Sequence, residues 1–252
     1  MPNRNIQITN RKNLKLSAKL ESPEGNCQAY AIFAHRFTCN KNLRAVRNIS
    51  KALQNHNIAV LRFDFTGLGG SEGDFGETNF SSNMNDLVDI SQYLTEYHEA
   101  PKLLIGHSLG GAAVIFASEI ISSIQAVATI GAPSSPKHVQ HLFSNKVADI
   151  KNDGMAIVNI GGRKFPISSE FLNDIESKDL PTTVKKIDKS LLVLHSPQDL
   201  IVGVENAAEI FTHAMHPKSF VSLDGADHLL SNRDDSTYVG NVIAQWASRY
   251  LK

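Results

Sequence analysis

The sequence has few cysteines, no net charge and no long hydrophobic run. Cys27 and Cys39 are its only cysteines, too few for a disulfide framework, so we expect free thiols in a reducing compartment. Lysine plus arginine and aspartate plus glutamate both number 25, which argues against the broad basic surface that nucleic acid or an anionic membrane would need. No stretch approaches the roughly 20 apolar residues that cross a bilayer, and the polar residues 1–5 do not begin a secretory signal. We therefore expect a soluble, cytoplasmic protein without nucleic-acid or membrane partners.

The length and the hydrophobic periodicity predict one α/β domain spanning residues 1–252. A hydrophobic content of 42% in 252 residues is enough for a substantial core. Residues 6–8 and 14–20 alternate apolar and polar side chains, which predicts an antiparallel hairpin. Beyond them, strand and helix patterns alternate, which indicates a mostly parallel sheet with helices on both faces. The predicted strands are 30–34, 58–63, 101–105, 126–130, 191–194 and 220–223, and the predicted helices are 40–55, 83–97, 111–120, 204–214 and 237–251.

One long segment interrupts this alternation. About fifty residues separate the strand 126–130 from the strand 191–194, and a long insertion at that point is typical of a lid. We therefore predict a small cap at residues 134–183. It contains a predicted hairpin, 155–160 with 163–167, around two glycines, followed by a capped helix at 168–175.

The most informative motif is Gly-His-Ser-Leu-Gly at residues 106–110. It lies between a predicted buried strand and a helix rich in small residues, which is the context of a nucleophile elbow. In such an elbow the serine adopts a strained backbone, so the residues two positions away must be small. Gly106 and Gly110 meet this requirement. We interpret Ser108 as a catalytic nucleophile.

A nucleophilic serine needs a histidine to accept its proton and an acid to orient that histidine. Asp199 follows the strand 191–194, and His228 follows the last strand, so both lie where ligand sites of open α/β sheets collect. Asp224 and Asp227 are rival acids, which we rank lower because a residue so close to the histidine rarely points back at its ring. His195 precedes the acid in the chain and is expected to line or support the pocket. The alternatives are that Asp199 only caps a turn and that His228 is a solvated loop residue.

Two backbone N–H groups must stabilise the oxyanion that forms during acyl transfer. Leu109, the residue after the nucleophile, is the first candidate. The loop after the strand 30–34 supplies the second, and Phe37 is our choice within it. The alternative is that residues 35–38 are only a strand-to-helix turn.

Two further patterns carry no function in our interpretation. The glycines at 67, 69 and 70 lack both the Lys-Ser/Thr of a P-loop and the full dinucleotide fingerprint. The histidine pairs 138/141 and 213/216 have a spacing that can bind zinc on a helix, but no nearby cysteine or acidic cluster completes a ligand set. We therefore predict no cofactor and no metal, and we interpret these histidines as surface residues.

Taken together, residues 106–111, Asp199 and His228 resemble the triad motifs of the α/β-hydrolase superfamily. Residues 33–39 and 62–71 are more narrowly similar to the hydrolase domain that is fused to OsmC-type domains in some bacteria. The resemblance implies the α/β-hydrolase fold, Ser-Asp-His catalysis without a cofactor, and an esterase-like activity. No OsmC-type sequence is present in the 252 residues, so we carry over no peroxidase role. The chain departs from the common His-Gly pattern of the superfamily by having Arg36 after His35, which would narrow the acyl pocket or meet a negative charge on the substrate.

We therefore expect a carboxylesterase-like serine hydrolase that cleaves a small-molecule ester or thioester through an acyl-enzyme. His35, Arg36 and His107 are predicted to contact the substrate. The apolar residues Phe143, Val147, Met155, Ile157 and Phe165 favour an apolar acyl site under the cap. Peptidase, lipase and C–C hydrolase activities stay open within this interpretation. The alternative of a different class is a non-catalytic protein of the same fold that binds a small molecule or a partner. No particular oligomeric state is predicted.

Overall fold

The computed structural model describes residues 3–251, and this part of the chain contains ten β-strands and eight α-helices. Eight of the strands form the central sheet, and the other two, β7 and β8, form a separate hairpin. The strands are β1 (Arg4–Thr9), β2 (Lys15–Glu21), β3 (Ala29–Ala34), β4 (Ile58–Phe63), β5 (Leu103–His107), β6 (Ala126–Ile130), β7 (Met155–Ile160), β8 (Arg163–Ser168), β9 (Ser190–His195) and β10 (Lys218–Ser222).

The central sheet has the order β1-β2-β4-β3-β5-β6-β9-β10. Strands β1 and β2 form the predicted antiparallel hairpin at one edge, and β2 is also antiparallel to β4. The pairings from β4 to β10 are all parallel. The carboxyl ends of β3, β5, β6, β9 and β10 therefore meet at the same edge of the sheet, where open α/β sheets place their ligands.

Helices cover both faces of the sheet, as the alternating pattern predicts. They are α1 (Arg44–Asn55), α2 (Phe80–Tyr97), α3 (Leu109–Ile120), α4 (Val147–Asp153), α5 (Ser169–Glu176), α6 (Leu180–Lys186), α7 (Glu205–His213) and α8 (Arg233–Ala247). Buried residues of α1 and α8 form one hydrophobic core, and those of α2, α3, α6 and α7 belong to the other. No helix within residues 3–251 is both long enough and apolar enough for a transmembrane segment.

Helices α2 and α8 begin earlier than predicted because polar residues cap them. The side chain of Asn79 accepts a hydrogen bond from the backbone amide of Ser82, and the Ser82 hydroxyl accepts one from the amide of Asn79. The side chain of Asn232 accepts one from the amide of Asp234. Side-chain oxygens at these positions satisfy amides that have no partner within the helix, so the helix starts at the cap and not at the first apolar residue.

The chain leaves the sheet after β6, as predicted. It forms a 3₁₀ segment, Pro136–Lys146, then α4, the hairpin β7–β8 and α5. The predicted end of this insertion at residue 183 is wrong, because it falls inside α6. Helix α6 packs on α3 and α7, and its Leu180 and Val184 are fully buried in the main core, so it belongs to the body of the domain. We refer to residues 134–179 as the insertion.

Candidate active site

Ser108 lies at the junction of β5 and α3 with backbone angles φ 55° and ψ −127°. Its amide donates a hydrogen bond of 2.8 Å to the Ile130 carbonyl oxygen of the neighbouring strand. A Cβ atom at Gly106 would lie 2.2 Å from the Gly110 carbonyl oxygen, and one at Gly110 would lie 2.5 Å from the Ala34 carbonyl oxygen. Only glycine fits at both positions, which is the physical reason for the motif around Ser108.

Three loops at the carboxyl edge of the sheet bring Ser108, His228 and Asp199 together. The Nε2 atom of His228 lies 3.1 Å from the Ser108 Oγ, and its Nδ1 atom lies 2.7 Å from the Asp199 Oδ2. Asp199 and His228 are both buried. The other carboxylate oxygen of Asp199 accepts hydrogen bonds from the amides of Ile201 and Val202, at 2.8 and 2.9 Å. Because Nδ1–H donates to Asp199, the Nε2 lone pair of a neutral His228 faces the serine hydroxyl.

The environment of Asp199 keeps its carboxylate charged. Burial alone would raise its pKa, but hydrogen bonds from His228 and from the amides of Val202 and Ile201 outweigh this and lower it. The two rival acids face other groups. Asp224 accepts a hydrogen bond of 2.8 Å from the Gln198 side chain, and Asp227 accepts one of 2.9 Å from the amide of Ser231. Asp199 is thus the carboxylate that contacts the His228 ring.

His195 supports the loop that carries Asp199. Its ring is fully buried, and Nε2–H donates a hydrogen bond of 2.7 Å to the Val202 carbonyl oxygen. The same nitrogen lies 3.6 Å from the Asp199 Oδ2, and burial lowers the pKa of His195, which favours the neutral ring. This placement agrees with a supporting role.

The two backbone amides predicted to form an oxyanion hole border the same space as Ser108. Leu109 is the first residue of α3, and Phe37 lies in the loop after β3; both line the cavity that contains Ser108 and His228. Within residues 3–251, no oxygen accepts a hydrogen bond from either amide. Thr38 takes a positive φ of 57° next to Phe37, and its hydroxyl donates to the Phe37 carbonyl oxygen at 2.8 Å. Both amides are therefore available to a ligand.

The insertion holds the Phe37 loop in place. The Phe37 ring stacks on Phe171 of α5 at 5.3 Å between centroids and lies 5.6 Å from Phe75, which in turn contacts Phe165 of β8. The guanidinium group of Arg163 donates a hydrogen bond to the Thr38 carbonyl oxygen. Such aromatic contacts and a charge-assisted hydrogen bond stabilise this arrangement of the loop.

A cavity of about 330 Å³ opens above Ser108 and His228. Its ionisable side chains, apart from His228, are Arg36, Cys39, His138, His141 and Arg163, and no aspartate or glutamate of the described chain lines it. Most of its wall is apolar: Phe37, Leu109, Pro133, Val139, Leu142, Ile160, Ile201, Val202 and Leu229. The insertion supplies several of these residues, so it forms one side of the cavity.

Two of the three predicted substrate-binding residues lie elsewhere. Arg36 lines the cavity, but His35 and His107 are 1% and 2% exposed and do not. His35 donates from Nδ1 to the Arg36 carbonyl oxygen at 2.9 Å, and burial lowers its pKa to about 4. Burial also lowers the pKa of His107 to about 3. His35 directly follows β3 and His107 is the last residue of β5, and both side chains are buried in the body of the protein.

The five apolar residues predicted to form an acyl site do not line the cavity. Phe143 is 1% exposed and packed in the core, whereas Met155 and Ile157 are 46% and 55% exposed. None of these three residues lines the cavity, and Val147 and Phe165 do not line it either. Strand alternation explains part of this difference, since Met155 and Ile157 lie on the solvent face of β7 and Val158 on its buried face.

Two residues at the site were missed by sequence reasoning. Gly131 follows β6 with a φ of 54°, and a Cβ atom there would lie 3.3 Å from the His228 Nδ1 and 3.4 Å from the Asp199 Oδ2. A glycine directly after a predicted core strand is the signal that could have identified it. Arg163 carries no such local signal, because its contact with Thr38 joins residues 125 positions apart.

The remaining motif residues have structural partners. A Cβ atom at Gly69 would lie 2.3 Å from the Asp64 carboxylate, which accepts a hydrogen bond of 2.9 Å from the Gly70 amide and pairs with Lys41 at 2.6 Å. Gly69 and Gly70 therefore serve a buried ion pair. His138 and His141 line the cavity. His138 donates a hydrogen bond to the Ile201 carbonyl oxygen, and His141 donates one to the His138 carbonyl oxygen.

Burial raises the pKa of the Cys39 thiol, which keeps it protonated and weakly nucleophilic.

Comparison with known proteins gives one family and several related structures. Residues 25–159 match the family model Hydrolase_4, described as serine aminopeptidase, S33. The crystal structure of the esterase domain of a Rhodothermus marinus protein is 47% identical, covers all of both chains and superimposes with a TM-score of 0.82. Est1E from Butyrivibrio proteoclasticus, solved with ferulic acid, has a TM-score of 0.80 over 98% of this chain and 99% of its own. At 19% identity, that likeness concerns the fold alone.

A curated mammalian protein is also similar. The mitochondrial palmitoyl-protein thioesterase ABHD10 of Mus musculus is 25% identical over 199 residues, which are 76% of this chain. The chain spans 65% of the length of that mouse protein. The family match contains Ser108, Leu109 and Phe37, and it ends before Asp199 and His228.

Proposed function

The chain belongs to the Hydrolase_4 family and has the α/β-hydrolase fold, and on this basis we propose that it is a carboxylesterase-like serine hydrolase that cleaves carboxylic esters or thioesters through an acyl-enzyme. The observation that carries the proposal is the hydrogen-bonded series Ser108–His228–Asp199 at the floor of a cavity. The order of the three residues along the chain, serine then acid then histidine, is that of this fold.

The proposed reaction follows from the positions of these groups. His228 Nε2 takes the proton of Ser108 as Oγ attacks the substrate carbonyl, and Asp199 stabilises the imidazolium that forms. The amides of Leu109 and Phe37 donate to the oxyanion of the tetrahedral intermediate. His228 then gives its proton to the leaving alcohol or thiol. A water molecule, deprotonated by the same nitrogen, attacks the acyl-enzyme. The acyl bond to Ser108 Oγ then breaks, Oγ regains the proton from His228, and the acid is released.

The cavity favours ester substrates over peptides with a free amino terminus. An aminopeptidase must bind an α-ammonium group, and a carboxylate is the usual partner for such a charge. No aspartate or glutamate of residues 3–251 lines this cavity, and two arginines do. The similar proteins named as an esterase and a thioesterase point in the same direction.

The proposal includes a role for the insertion, whereas the narrower family and the cellular location stay predictions. The insertion, residues 134–179, serves as a cap, because it forms one wall of the cavity and packs on the Phe37 loop. The narrower likeness to OsmC-fused hydrolase domains stays a prediction from residues 33–39 and 62–71. The cytoplasmic location also stays a prediction, and the similar mouse protein is named as mitochondrial.

The test is hydrolysis of p-nitrophenyl esters from acetate to decanoate by the wild type, Ser108→Ala and Ser122→Ala. Ser122 is exposed and lies outside the cavity, so its variant is the matched control. We expect saturable turnover that Ser108→Ala abolishes and Ser122→Ala retains. The optimum should fall at short or medium acyl chains, because a cavity of about 330 Å³ is at the small end of ligand pockets. Equal traces of activity in the wild type and Ser108→Ala would contradict the proposal and favour a non-catalytic binding protein.

A further inference from the structure

Two arginines at the cavity, Arg36 and Arg163, pair with no carboxylate among the described residues. Arg36 is half-buried in the loop after β3, and Arg163 is the first residue of β8 in the insertion. Among residues 3–251, neither forms an ion pair with a carboxylate, although several other lysines and arginines do. Within the part of the chain that the structure describes, no carboxylate therefore neutralises the positive charge in the cavity.

Arg36 and Arg163 line the same cavity as Cys39. Each of them opposes the effect of burial on the pKa of the Cys39 thiol. Arg163 uses one N–H to donate to the Thr38 carbonyl oxygen, and its guanidinium group lies 5.3 Å from the centre of the Phe165 ring. A guanidinium has five N–H donors, so most of those on both arginines are left for a ligand.

The histidines of the cavity are less available to an anion than the two arginines. The rings of His138 and His141 each direct one nitrogen to a backbone carbonyl oxygen, at 3.0 and 2.6 Å. His228 is committed to Ser108 and Asp199. Arg36 and Arg163 are thus the groups that can recognise an anion in this space.

We propose that Arg36 and Arg163 bind a carboxylate on the acyl part of the substrate, so that the preferred substrates are monoesters of dicarboxylic acids. The inference rests on the proposed function, since it names the substrate class of the same site. The planar fork of a guanidinium group matches a carboxylate in two parallel hydrogen bonds. The apolar wall of the cavity accommodates the methylene chain between the carboxylate and the scissile carbonyl.

The first experiment compares mono-p-nitrophenyl adipate with p-nitrophenyl hexanoate, which have the same number of acyl carbons. We expect kcat/KM of the wild type to be higher for the adipate by about 10-fold or more, the range of a charge-assisted hydrogen bond. Arg36→Gln and Arg163→Gln should each lower the adipate-to-hexanoate ratio by about 10-fold. The control is Lys164→Gln, which removes a charge from the next position of β8 outside the cavity and should keep the wild-type ratio.

The outcomes separate this inference from the proposed function. A wild-type ratio near one, with hexanoate turnover that depends on Ser108, would overturn the inference and leave the proposed function intact. A second experiment needs no turnover: calorimetric titration of mono-p-nitrophenyl adipate into Ser108→Ala and into Ser108→Ala combined with Arg36→Gln. Weaker binding to the double variant by about 10-fold supports the inference, and equal binding overturns it. Stronger inhibition by inorganic phosphate than by free adipate would overturn the proposal that Arg36 and Arg163 bind a carboxylate.

Discussion

His107 Nε2 donates a hydrogen bond of 2.7 Å to the backbone carbonyl oxygen of His228. The contact joins the residue before Ser108 to the residue whose ring faces Ser108, across 121 positions of the chain. The two imidazole rings lie 5.3 Å apart between centroids. The strand that carries the elbow therefore also contacts the loop that carries His228, and we expect His107 to position His228.

The first prediction concerns His107→Leu. The change removes the donor and leaves the buried His228 carbonyl oxygen unsatisfied, so the free energy of unfolding should fall by about 1–3 kcal/mol. A small displacement of His228 should lower kcat by about 10-fold to 100-fold with little change in KM. Urea unfolding and steady-state kinetics on a p-nitrophenyl ester measure both effects. His107→Gln, which can offer an N–H at a similar place, should recover part of kcat.

A matched control for this variant is His213→Gln, at the end of α7 and outside the cavity. It should keep the kinetics of the wild type. A His107→Leu protein that is folded and has wild-type kcat would show that His107 does not position His228.

Some of this site could be predicted from the sequence because its signals are local. The glycines around Ser108 are required by contacts within a few residues of chain and with the adjacent loop, so the motif itself predicts the elbow. The positions of Asp199 and His228 follow from the strand pattern, since parallel strands bring their carboxyl ends to one edge. The same reasoning predicts the ten strands and six of the eight helices of residues 3–251 in their order along the chain, which the structure confirms; α4 and α6 were not predicted.

Other parts of the site depend on distant contacts that no local pattern encodes. Whether His107 faces the cavity or the core depends on the pleat of β5 and on the loop after β10, which lie far apart in sequence. The approach of Arg163 to Thr38 depends on how the insertion folds over the body. The end of the insertion was misplaced for the same reason, because only packing on α3 shows that α6 belongs to the core.

The second prediction separates Asp199 from the rival acids. Asp199→Asn removes the negative charge and replaces one acceptor oxygen by an NH₂ group. The remaining oxygen can accept hydrogen bonds from His228 or from the loop amides, but not from both. We expect kcat to fall by about 1,000-fold to 10,000-fold, the effect of a disrupted histidine tautomer in a triad. Asp224→Asn is the control, because Asp224 is exposed and can still accept from Gln198. Its kcat should stay within about twofold of the wild type. A larger loss of activity in Asp224→Asn than in Asp199→Asn would reverse the assignment of the acid.

The third prediction is that the protein loses stability in mild acid because of its buried histidines. Burial lowers the pKa of His35 to about 4 and that of His107 to about 3, from a usual value of 6.5. The pKa of the buried His195 shifts in the same direction. Below pH 6.5 the unfolded chain takes up protons on these rings, whereas the folded protein does so only near the lowered values. The free energy of unfolding therefore falls as the pH falls from 6.5 towards 4.

The expected size of this effect at pH 5 is on the order of 2 kcal/mol for each of His35 and His107, relative to pH 7.5. Carboxylates whose pKa is lowered, such as Asp199, lose their contribution only below about pH 4, so a comparison at pH 5 reports mainly on histidines. Urea unfolding at pH 7.5, 6.5, 5.5 and 5.0 measures the decline. His107→Gln should reduce the decline in the free energy of unfolding by the contribution of one histidine, because the glutamine side chain does not titrate. The control His213→Gln should show the same decline as the wild type. Constant stability of the wild type from pH 7.5 to 5.0 would mean that these rings take up protons as readily in the folded protein as in the unfolded chain.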